Sequence, residues 1–436
     1  MARYNSIDPQ LFIENRKHFA SKLKENSIAV FHSSDLMPIS ADAHHPFHQN
    51  PDLFWLTGLD QEEIYLIIYP DCEEEKYTEA LFIKRTSELI AIWEGAKYNL
   101  EEAAKISGIE TVLWYDQFDS IFTKCMHRAE NVYINLNEHD RMENAVPYWD
   151  LRFSRKLMHK FPLHNYNRSA PILRDLRAIK SSVEIELIKR ACDITEAGFR
   201  RVLNFVKPGV MEYEIEAEIT HEFIRSGSKG HAYEPIIASG RDSCVLHYVA
   251  NDKACSAGDV LLMDFGSRYA NYASDLSRTI PVSGKFTQRQ RDVYNAVLRV
   301  MREATDMLTS GTHLIEYEKE VGKIMESELV GLGLLDRNDI EKQDPKKPAY
   351  KKYFMHGTSH FLGLDVHDVG DKYLALTYGN VLTCEPGIYI LEESIGVRIE
   401  NDILVSEDGP VDLMANIPIE AEEIEEIMNS SLIHAD

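Results

Sequence analysis

Four carboxylates and one imidazole in the C-terminal part of the chain have the types and spacing of ligands for two metal ions. They are Asp264, Asp275, His360, Glu385 and Glu400. Such an oxygen-rich set suits Mn²⁺, Mg²⁺, Fe²⁺, Co²⁺ or Zn²⁺ better than a metal held by thiolates. A lone Asp after an apolar run is more often a strand end or an exposed turn. Four acids at matched positions together with a histidine favour the metal interpretation.

The acids fall into two pairs, and each pair is predicted to lie on a hairpin. Asp264 follows the apolar run 260–263, and a turn-like stretch, 267–272, separates it from Asp275 on the next strand. Glu385 and Glu400 are related in the same way across the connection 391–395. Side chains on one face of paired strands come within about 5 Å of each other, so one carboxylate could bridge two ions.

Three histidines, His356, His360 and His367, lie close together in sequence beside the second acid pair. A helix would place His356 and His360 on one face, but the intervening Gly-Thr-Ser is poor helix material. An extended segment also places them on one side. Each histidine alone could be a hydrogen-bonded core residue. Together they are interpreted as one metal ligand and two groups that contact the substrate.

The chemistry expected of such a site is hydrolysis. Two divalent ions about 4 Å apart can share a water and lower its pKa from about 15.7 towards about 7. The resulting hydroxide attacks a carbonyl, and a neighbouring carboxylate takes its proton and passes it to the leaving nitrogen. Cleavage of a peptide bond is the natural reaction.

The whole chain sets limits on other functions. Its 436 residues exceed one ordinary core and predict two domains, with three as the alternative. The net charge of -24 offers no basic stripe for phosphates, so we expect no nucleic acid partner. No run of about 18 apolar residues is present, so we expect no membrane span. The six cysteines form no Cys-x-x-Cys pair, which indicates free thiols in a reducing cytoplasm.

The elements that must position these residues follow two different patterns. The first 170 or so residues alternate between strand-like and helix-like segments, which predicts an α/β domain with a central sheet. No glycine-rich phosphate loop is present, so a nucleotide-binding fold is not indicated. The predicted strands are 27–32, 64–69, 80–84, 90–93, 111–114 and 131–135, and the predicted helices are 10–24, 99–106 and 154–160.

The remainder reads as two loose copies of a helix–helix–strand–strand unit. Capping boxes at Ser181–Glu184 and Thr287–Gln290 open the first helix of each copy. Second helices run through 215–223 and 315–329, and the last two strands are 381–390 and 397–405. The pattern predicts an internally duplicated α+β domain, in which two hairpins face each other across a pseudo-twofold axis and pool their ligands.

Longer motifs surround these residues: Val245-Leu-His-Tyr248, Met263-Asp-Phe-Gly266, Tyr272-Ala-Ser-Asp275, His356-Gly-Thr-Ser-His360, Glu385-Pro-Gly387, Arg398-Ile-Glu400 and, near the N terminus, Trp93-Glu-Gly95. Through them the chain resembles the pita-bread metallopeptidases, most closely aminopeptidase P. The resemblance implies an internally duplicated α+β pita-bread catalytic domain, residues 173–436. It also implies a preceding α/β creatinase-like N-terminal domain, residues 1–172.

The resemblance also implies how the metal ligands are shared. Asp264 would bind one ion, His360 and Glu385 the other, and Asp275 and Glu400 would bridge the two. Glu385 would in addition act as the base that transfers the proton. Mn²⁺ is the expected metal, with Zn²⁺, Co²⁺ and Fe²⁺ as alternatives.

The same resemblance implies roles around the metals. His247 and His367 would position the scissile peptide and stabilise the tetrahedral intermediate. The pocket for a proline ring would be lined by three residues, His356, Tyr389 and Arg398. Trp93 and Asp42 would close the site of an adjacent subunit, which implies a homodimer or homotetramer. Trp93 could instead be a core aromatic, and Tyr389 could simply fill a strand face.

The predicted function is removal of the N-terminal residue from peptides with proline at the second position, in the cytoplasm. A prolidase, restricted to Xaa-Pro dipeptides, is the close alternative. The spacing from His356 to His360, and the absence of proline before His356, favour aminopeptidase P. A metal-free binding module on the same fold is the distant alternative, disfavoured because such relatives normally lose ligands.

Overall fold

The computed structural model describes residues 3–139, 141 and 146–430. The chain divides into two compact units, Met1–Arg177 and Ala178–Asp436. None of the described helices combines the length and the apolar content that crossing a bilayer requires.

The N-terminal unit is an α/β domain. Its helices are α1 Pro9–Ala20, α2 Pro51–Thr57, α3 Glu88–Glu94, α4 Leu100–Ser107, α5 Phe118–Met126, α6 Trp149–Lys160 and α7 Ala170–Arg177. Its strands are β1 Ser27–His32, β2 Pro38–Ser40, β3 Ala43–His44, β4 Tyr65–Ile68, β5 Glu79–Ile83, β6 Thr111–Trp114, β7 Asn131–Ile134 and β8 Asn165–Arg168.

The main sheet of this unit has the order β6-β5-β4-β1-β7-β8. Strands β4 and β5 pair antiparallel, as do β1 and β4, whereas the outer pairs are parallel. Apolar residues of β1, β4, β5 and β7 pack with α5 and α6 into one core. The predicted α/β class of this part of the chain is confirmed.

One predicted strand, 90–93, is wrong because this segment belongs to helix α3. Ser87 caps the helix by accepting a hydrogen bond from the Ile90 N–H, and Gly95, with φ of 79°, follows its last residue. No residue of α3 is buried. The apolar run therefore reflects an exposed surface and not a strand in the core.

A second difference concerns β8, which follows α6 and was not predicted. Its sequence, Asn-Tyr-Asn-Arg, is polar, and the strand lies at the edge of the sheet beside β7. Polar residues are usual on edge strands, so the apolar signal that identifies inner strands is missing here.

The C-terminal unit contains the predicted pairs of helices and strands. Its helices are α8 Ser182–Phe205, α9 Glu212–Arg225, α10 Gln288–Asp306, α11 Leu314–Gly331, α12 Arg337–Glu341 and α13 Ala421–Ser430. Its strands are β9 Ile236–Ser239, β10 Val260–Phe265, β11 Arg268–Tyr269, β12 Tyr272–Ala273, β13 Leu276–Pro281, β14 Val381–Cys384, β15 Gly387–Ile390, β16 Ile395–Arg398, β17 Asn401–Ser406 and β18 Gly409–Asp412.

Both predicted capping boxes open their helices as expected. The Ser181 and Thr287 hydroxyls accept hydrogen bonds from backbone N–H groups three residues on, and the side chains there reciprocate. Helix α9 packs on α8 and α11 on α10. At the start of α11, Leu314 and Tyr317 are buried, whereas Ile315 is 42% exposed.

Each half contributes a small sheet, ordered β13-β10-β9 in the first and β14-β17-β18 in the second. The predicted strands 381–390 and 397–405 are each interrupted, by Glu385-Pro386 and by Ile399-Glu400. These interruptions lie opposite each other, because Cys384 pairs with Asn401 and Gly387 with Arg398. The backbone therefore departs from regular strand pairing at Glu385 and at Glu400.

Arg278 of β13 joins the two halves. Its fully buried guanidinium donates hydrogen bonds to Glu400 O (2.8 Å), Asn401 Oδ1 (2.7 Å) and Pro418 O (3.0 Å). Glu400 N–H in turn donates to Ser277 O at 3.1 Å. Backbone groups freed by the interrupted ladder are thus satisfied by the opposite half.

We predict that Gly266→Ala strongly destabilises the protein. A Cβ at this position would lie 1.7 Å from Ser274 O, a backbone atom that cannot move aside alone. The loss of unfolding free energy should exceed about 3 kcal/mol, the upper end for over-packing. The control Gly331→Ala, on a helix end with open space around it, should shift stability by no more than about 1 kcal/mol. Equal denaturation midpoints for the two variants would contradict the prediction.

Candidate metal centre

The structure brings the five predicted metal-ligand residues together. Asp264 lies on β10, and Asp275 immediately precedes β13, not on the strand itself as predicted. Ligand atoms of Asp275, His360 and Glu400 lie within 4.8 Å of one another. His360 Nε2 is 3.5 Å from both Asp275 Oδ2 and Glu385 Oε1. Asp264 is linked to this group through the Tyr233 hydroxyl, which contacts both Asp264 and Asp275.

His360 is oriented by the neighbouring strand β14. Its backbone O accepts the Thr383 N–H at 2.9 Å, and its N–H lies 3.2 Å from Thr383 Oγ1. Nδ1 is 3.0 Å from Phe361 O, which assigns the ring proton to Nδ1. The Nε2 lone pair then faces the acids, the arrangement usual for a histidine that binds a metal.

The segment between His356 and His360 is not helical; it forms no strand either, and the backbone bends at His356 and Thr358. His356 Nδ1 is 3.7 Å from Glu385 Oε2, so both rings approach the same carboxylate. Burial and the Arg398 charge lower the pKa of His356 to about 3, so this ring is neutral at pH 7. Its Nδ1 is 2.7 Å from Gly357 O, and its Nε2 is 2.8 Å from the Tyr389 hydroxyl.

The acids repel one another in a buried space. Burial, with the neighbouring acids adding to it, raises the pKa of Asp275 and of Glu400 well above the usual range. Burial also raises the pKa of Glu385 to about 7, although His360 and Arg398 oppose the rise. Divalent cations would offset this repulsion, and oxygen donors with one imidazole are ligands that they accept. The residues present therefore fit a metal centre.

A hydrogen-bond network surrounds the acids, and sequence reasoning missed most of it. The Tyr233 hydroxyl donates to Asp264 Oδ1 at 2.6 Å and also contacts Asp275 Oδ1. Ser277 Oγ donates to Glu400 Oε2 at 2.7 Å, and Asp402 Oδ2 accepts the Asp275 N–H at 3.1 Å. Tyr233 has no motif around it. Asp402 ends the Arg-Ile-Glu-Asn-Asp frame that carries Glu400, a signal that could have identified it.

Arg398 and Tyr389, assigned to a proline pocket, are both buried beside the metal centre. The guanidinium of Arg398 donates to Asp264 Oδ2 at 2.6 Å, to Ser277 Oγ at 2.7 Å and to the Tyr389 hydroxyl at 2.9 Å. Burial raises the pKa of Tyr389 to about 12, so its hydroxyl stays protonated. The hydroxyl accepts from Arg398 and donates to His356 Nε2, which connects His356 through Arg398 to Asp264.

The remaining predicted site residues occupy exposed positions. The His367 ring lies 4.4 Å from the His360 ring, centroid to centroid. His247 stands in the turn after a 3₁₀ helix, Gly240–Cys244, near enough for its charge to lower the pKa of His356. In the N-terminal unit, Trp93 is 82% exposed on α3, so it is no core aromatic. Asp42 is exposed in the turn between β2 and β3.

Comparison with known proteins agrees with this geometry. The profile of metallopeptidase family M24 matches residues 186–407, and that of the aminopeptidase P N-terminal domain matches residues 12–133. The Xaa-Pro aminopeptidase of Escherichia coli (strain K12) is 33% identical over 97% of this chain and 98% of its own length.

Solved structures of aminopeptidase P are similar to this chain over nearly its whole length. Zn-substituted Escherichia coli aminopeptidase P in complex with product superimposes with a TM-score of 0.87 and 32% identity, covering 98% of this chain and 99% of that one. Pseudomonas aeruginosa aminopeptidase PepP gives 0.90 and 29%, covering 98% and 100%. The chain therefore belongs to metallopeptidase family M24, with a pita-bread catalytic domain preceded by an N-terminal domain of the aminopeptidase P type.

Proposed function

We propose that the chain is an Xaa-Pro aminopeptidase, which releases the first residue of peptides that carry proline at the second position. The observation that supports this most is the buried group of acids that surrounds His360 Nε2. Relatives covering almost the whole chain carry the name Xaa-Pro aminopeptidase, which supports the same substrate class.

Two divalent ions are proposed to bind here, with Mn²⁺ as the native metal. Their ligands are the acids and the imidazole described above: Asp264, Asp275, His360, Glu385 and Glu400. When bound, such ions act as Lewis acids and lower the pKa of a water that they share. A relative with substituted zinc supports a site that accepts more than one metal.

The protein's own groups perform the proton transfers and hold the peptide. Glu385 is proposed to take the proton of the attacking water and to give it to the leaving proline nitrogen. His247 and His367 are proposed to donate hydrogen bonds to the substrate carbonyl as negative charge develops on its oxygen.

Proline at the second position needs a pocket of its own. It is a rigid ring whose nitrogen, in a tertiary amide, carries no hydrogen. His356, Tyr389 and Arg398 are proposed to line this pocket, and their mutual hydrogen bonds support a fixed wall. The neutral state of His356 suits contact with an apolar ring.

The chain is also proposed to form a homodimer or homotetramer in the cytoplasm. Helix α3 exposes Leu89, Ile92 and Trp93 together, an apolar surface that a neighbouring subunit would cover. Trp93 and Asp42 are proposed to close the active site of that neighbour. The cysteines are all free thiols, which supports a reducing compartment.

The proposed activity predicts release of the first residue from an Ala-Pro-Ala tripeptide by the metal-free protein after reloading with Mn²⁺. Chromatography of the products measures the free alanine, and EDTA-treated protein is the control. Cleavage of the dipeptide Ala-Pro alone would make the protein a prolidase. Absence of release with Mn²⁺, Co²⁺, Zn²⁺ and Fe²⁺, together with no metal binding, would favour a metal-free binding module.

Glu385→Ala should lower kcat by at least about 10³-fold, because a ligand and the proton-transferring base are lost together. The fold should persist, since removal of one acid relieves repulsion in the cluster. Circular dichroism and kcat on the tripeptide measure both effects. Glu392→Ala, an exposed acid on the hairpin turn after β15, is the control and should keep full activity. An active Glu385→Ala enzyme would contradict the assigned role.

Trp93→Ala should lower kcat/KM about tenfold, a loss of about 1.4 kcal/mol in transition-state binding. The Leu163→Ala variant, which removes a 97% exposed apolar side chain from the same unit, should not. Mixing Trp93→Ala with Glu385→Ala subunits should restore activity. In such a hybrid, the site of the Trp93→Ala subunit keeps its own Glu385 and receives Trp93 from the Glu385→Ala subunit. A mixture that exchanges subunits and gains no activity would contradict a shared site.

A further inference from the structure

The segment between His356 and His360 is held by two elements, although it forms neither helix nor strand itself. On one side, β14 and the residue after it contact the segment, because Thr383 N–H donates to His360 O and Glu385 N–H donates to Thr358 O at 2.8 Å. On the other, helix α11 supplies Glu318 and Tyr317, which contact Thr358 and Ser359.

Thr358 is the point where these contacts meet. It is fully buried. Its N–H donates to Glu318 Oε1 at 2.7 Å, and its hydroxyl donates to Glu318 Oε2 at 3.1 Å. Its carbonyl accepts the Glu385 N–H. One residue therefore connects a carboxyl group on α11 to the backbone of Glu385, and it stands two positions from each histidine.

The carboxyl group of Glu318 is distinguished from its neighbours on the same helix. Glu316 and Glu320 are exposed and pair only with lysines one turn on, among the contacts that the described residues show. Glu318 is partly buried, and burial raises the pKa of its carboxyl group. Lys351 completes the contacts by donating to His356 O at 3.0 Å.

Loss of the Glu318 carboxyl group would leave two buried donors of Thr358 without partners. A buried donor without a partner is unfavourable, so the segment would move to find water or other acceptors. Metal sites tolerate little movement of their ligands. Mutation of the groups that orient the ligands typically lowers metal affinity or activity by about 10–100-fold.

We propose that Glu318 is a positioning residue of the metal centre. Through Thr358 it fixes the His360 imidazole and the Glu385 carboxylate at the spacing that the ions require. The inference deepens the proposed function, on which it rests for the identity of the ligands. Glu318 is not one of the proposed ligands and acts through Thr358.

The test compares Glu318→Ala with Glu320→Ala, a matched change on the exposed face of α11. EDTA-treated proteins are titrated with Co²⁺, and the visible absorption of the bound ion reports the dissociation constants independently of activity. Glu318→Ala should raise at least one dissociation constant about 10–100-fold, and Glu320→Ala should leave both within about twofold. At saturating metal, kcat on the tripeptide should fall while KM stays nearly constant.

Two further variants separate positioning from a general loss of structure. Glu318→Gln keeps an acceptor for the Thr358 N–H and a donor for its hydroxyl, so it should restore Co²⁺ affinity and kcat. Thr358→Val removes only the hydroxyl contact and should raise the dissociation constant by a smaller factor. If Glu318→Ala does not fold, Thr358→Val carries the test.

Either of two results would overturn the proposal. The first is a folded Glu318→Ala protein that binds Co²⁺ as Glu320→Ala does. The second is a Thr358→Val protein with unchanged affinity. Wild-type protein that binds Co²⁺ but releases no residue from the tripeptide would refute the proposed function instead, and the titration would still decide the role of Glu318.

Discussion

Mutual repulsion among buried carboxylates is the constraint on which the site depends. Asp264, Asp275, Glu385 and Glu400 converge in a space where Arg398 pairs directly with Asp264 alone among them. Taking ionised groups out of water costs several kcal/mol each unless charge of the opposite sign is close. The raised pKa values of Asp275, Glu385 and Glu400 express the same conflict as a tendency to keep protons. Divalent cations bound among these acids would resolve it.

The backbone makes this convergence possible by leaving the regular ladder at the right positions. Glu385 and Glu400 stand in interruptions that face each other, and Asp275 precedes its strand. Gly266 lets the chain next to Asp264 approach Ser274 more closely than any side chain permits. The acids are therefore positioned by irregular backbone supported on regular strands, an arrangement common at functional sites.

Much of the arrangement could be predicted because the signals were local. The capping boxes, the amphipathic helices and the acids after apolar runs are each legible within a few residues. Other features depend on which face of an element turns inward. Glu316, Glu318 and Glu320 alternate along α11, and only the packed structure separates Glu318 from the exposed pair.

The sequence predicts a strand at 90–93 because the segment is apolar. Residue type alone does not show that Ile92 and Trp93 are exposed. Tyr233 lies outside any strand and far in sequence from Asp264 and Asp275, so its contacts with them follow from no local pattern.

The buried guanidinium of Arg278 has a consequence for how the catalytic domain unfolds. It belongs to the first half of the duplication, yet its donors satisfy Glu400 O, Asn401 Oδ1 and Pro418 O in the second. Separating the halves would break these hydrogen bonds together, so we expect partial opening between them to be disfavoured. Despite their repeated architecture, the two copies are therefore expected to unfold as one cooperative unit and not one after the other.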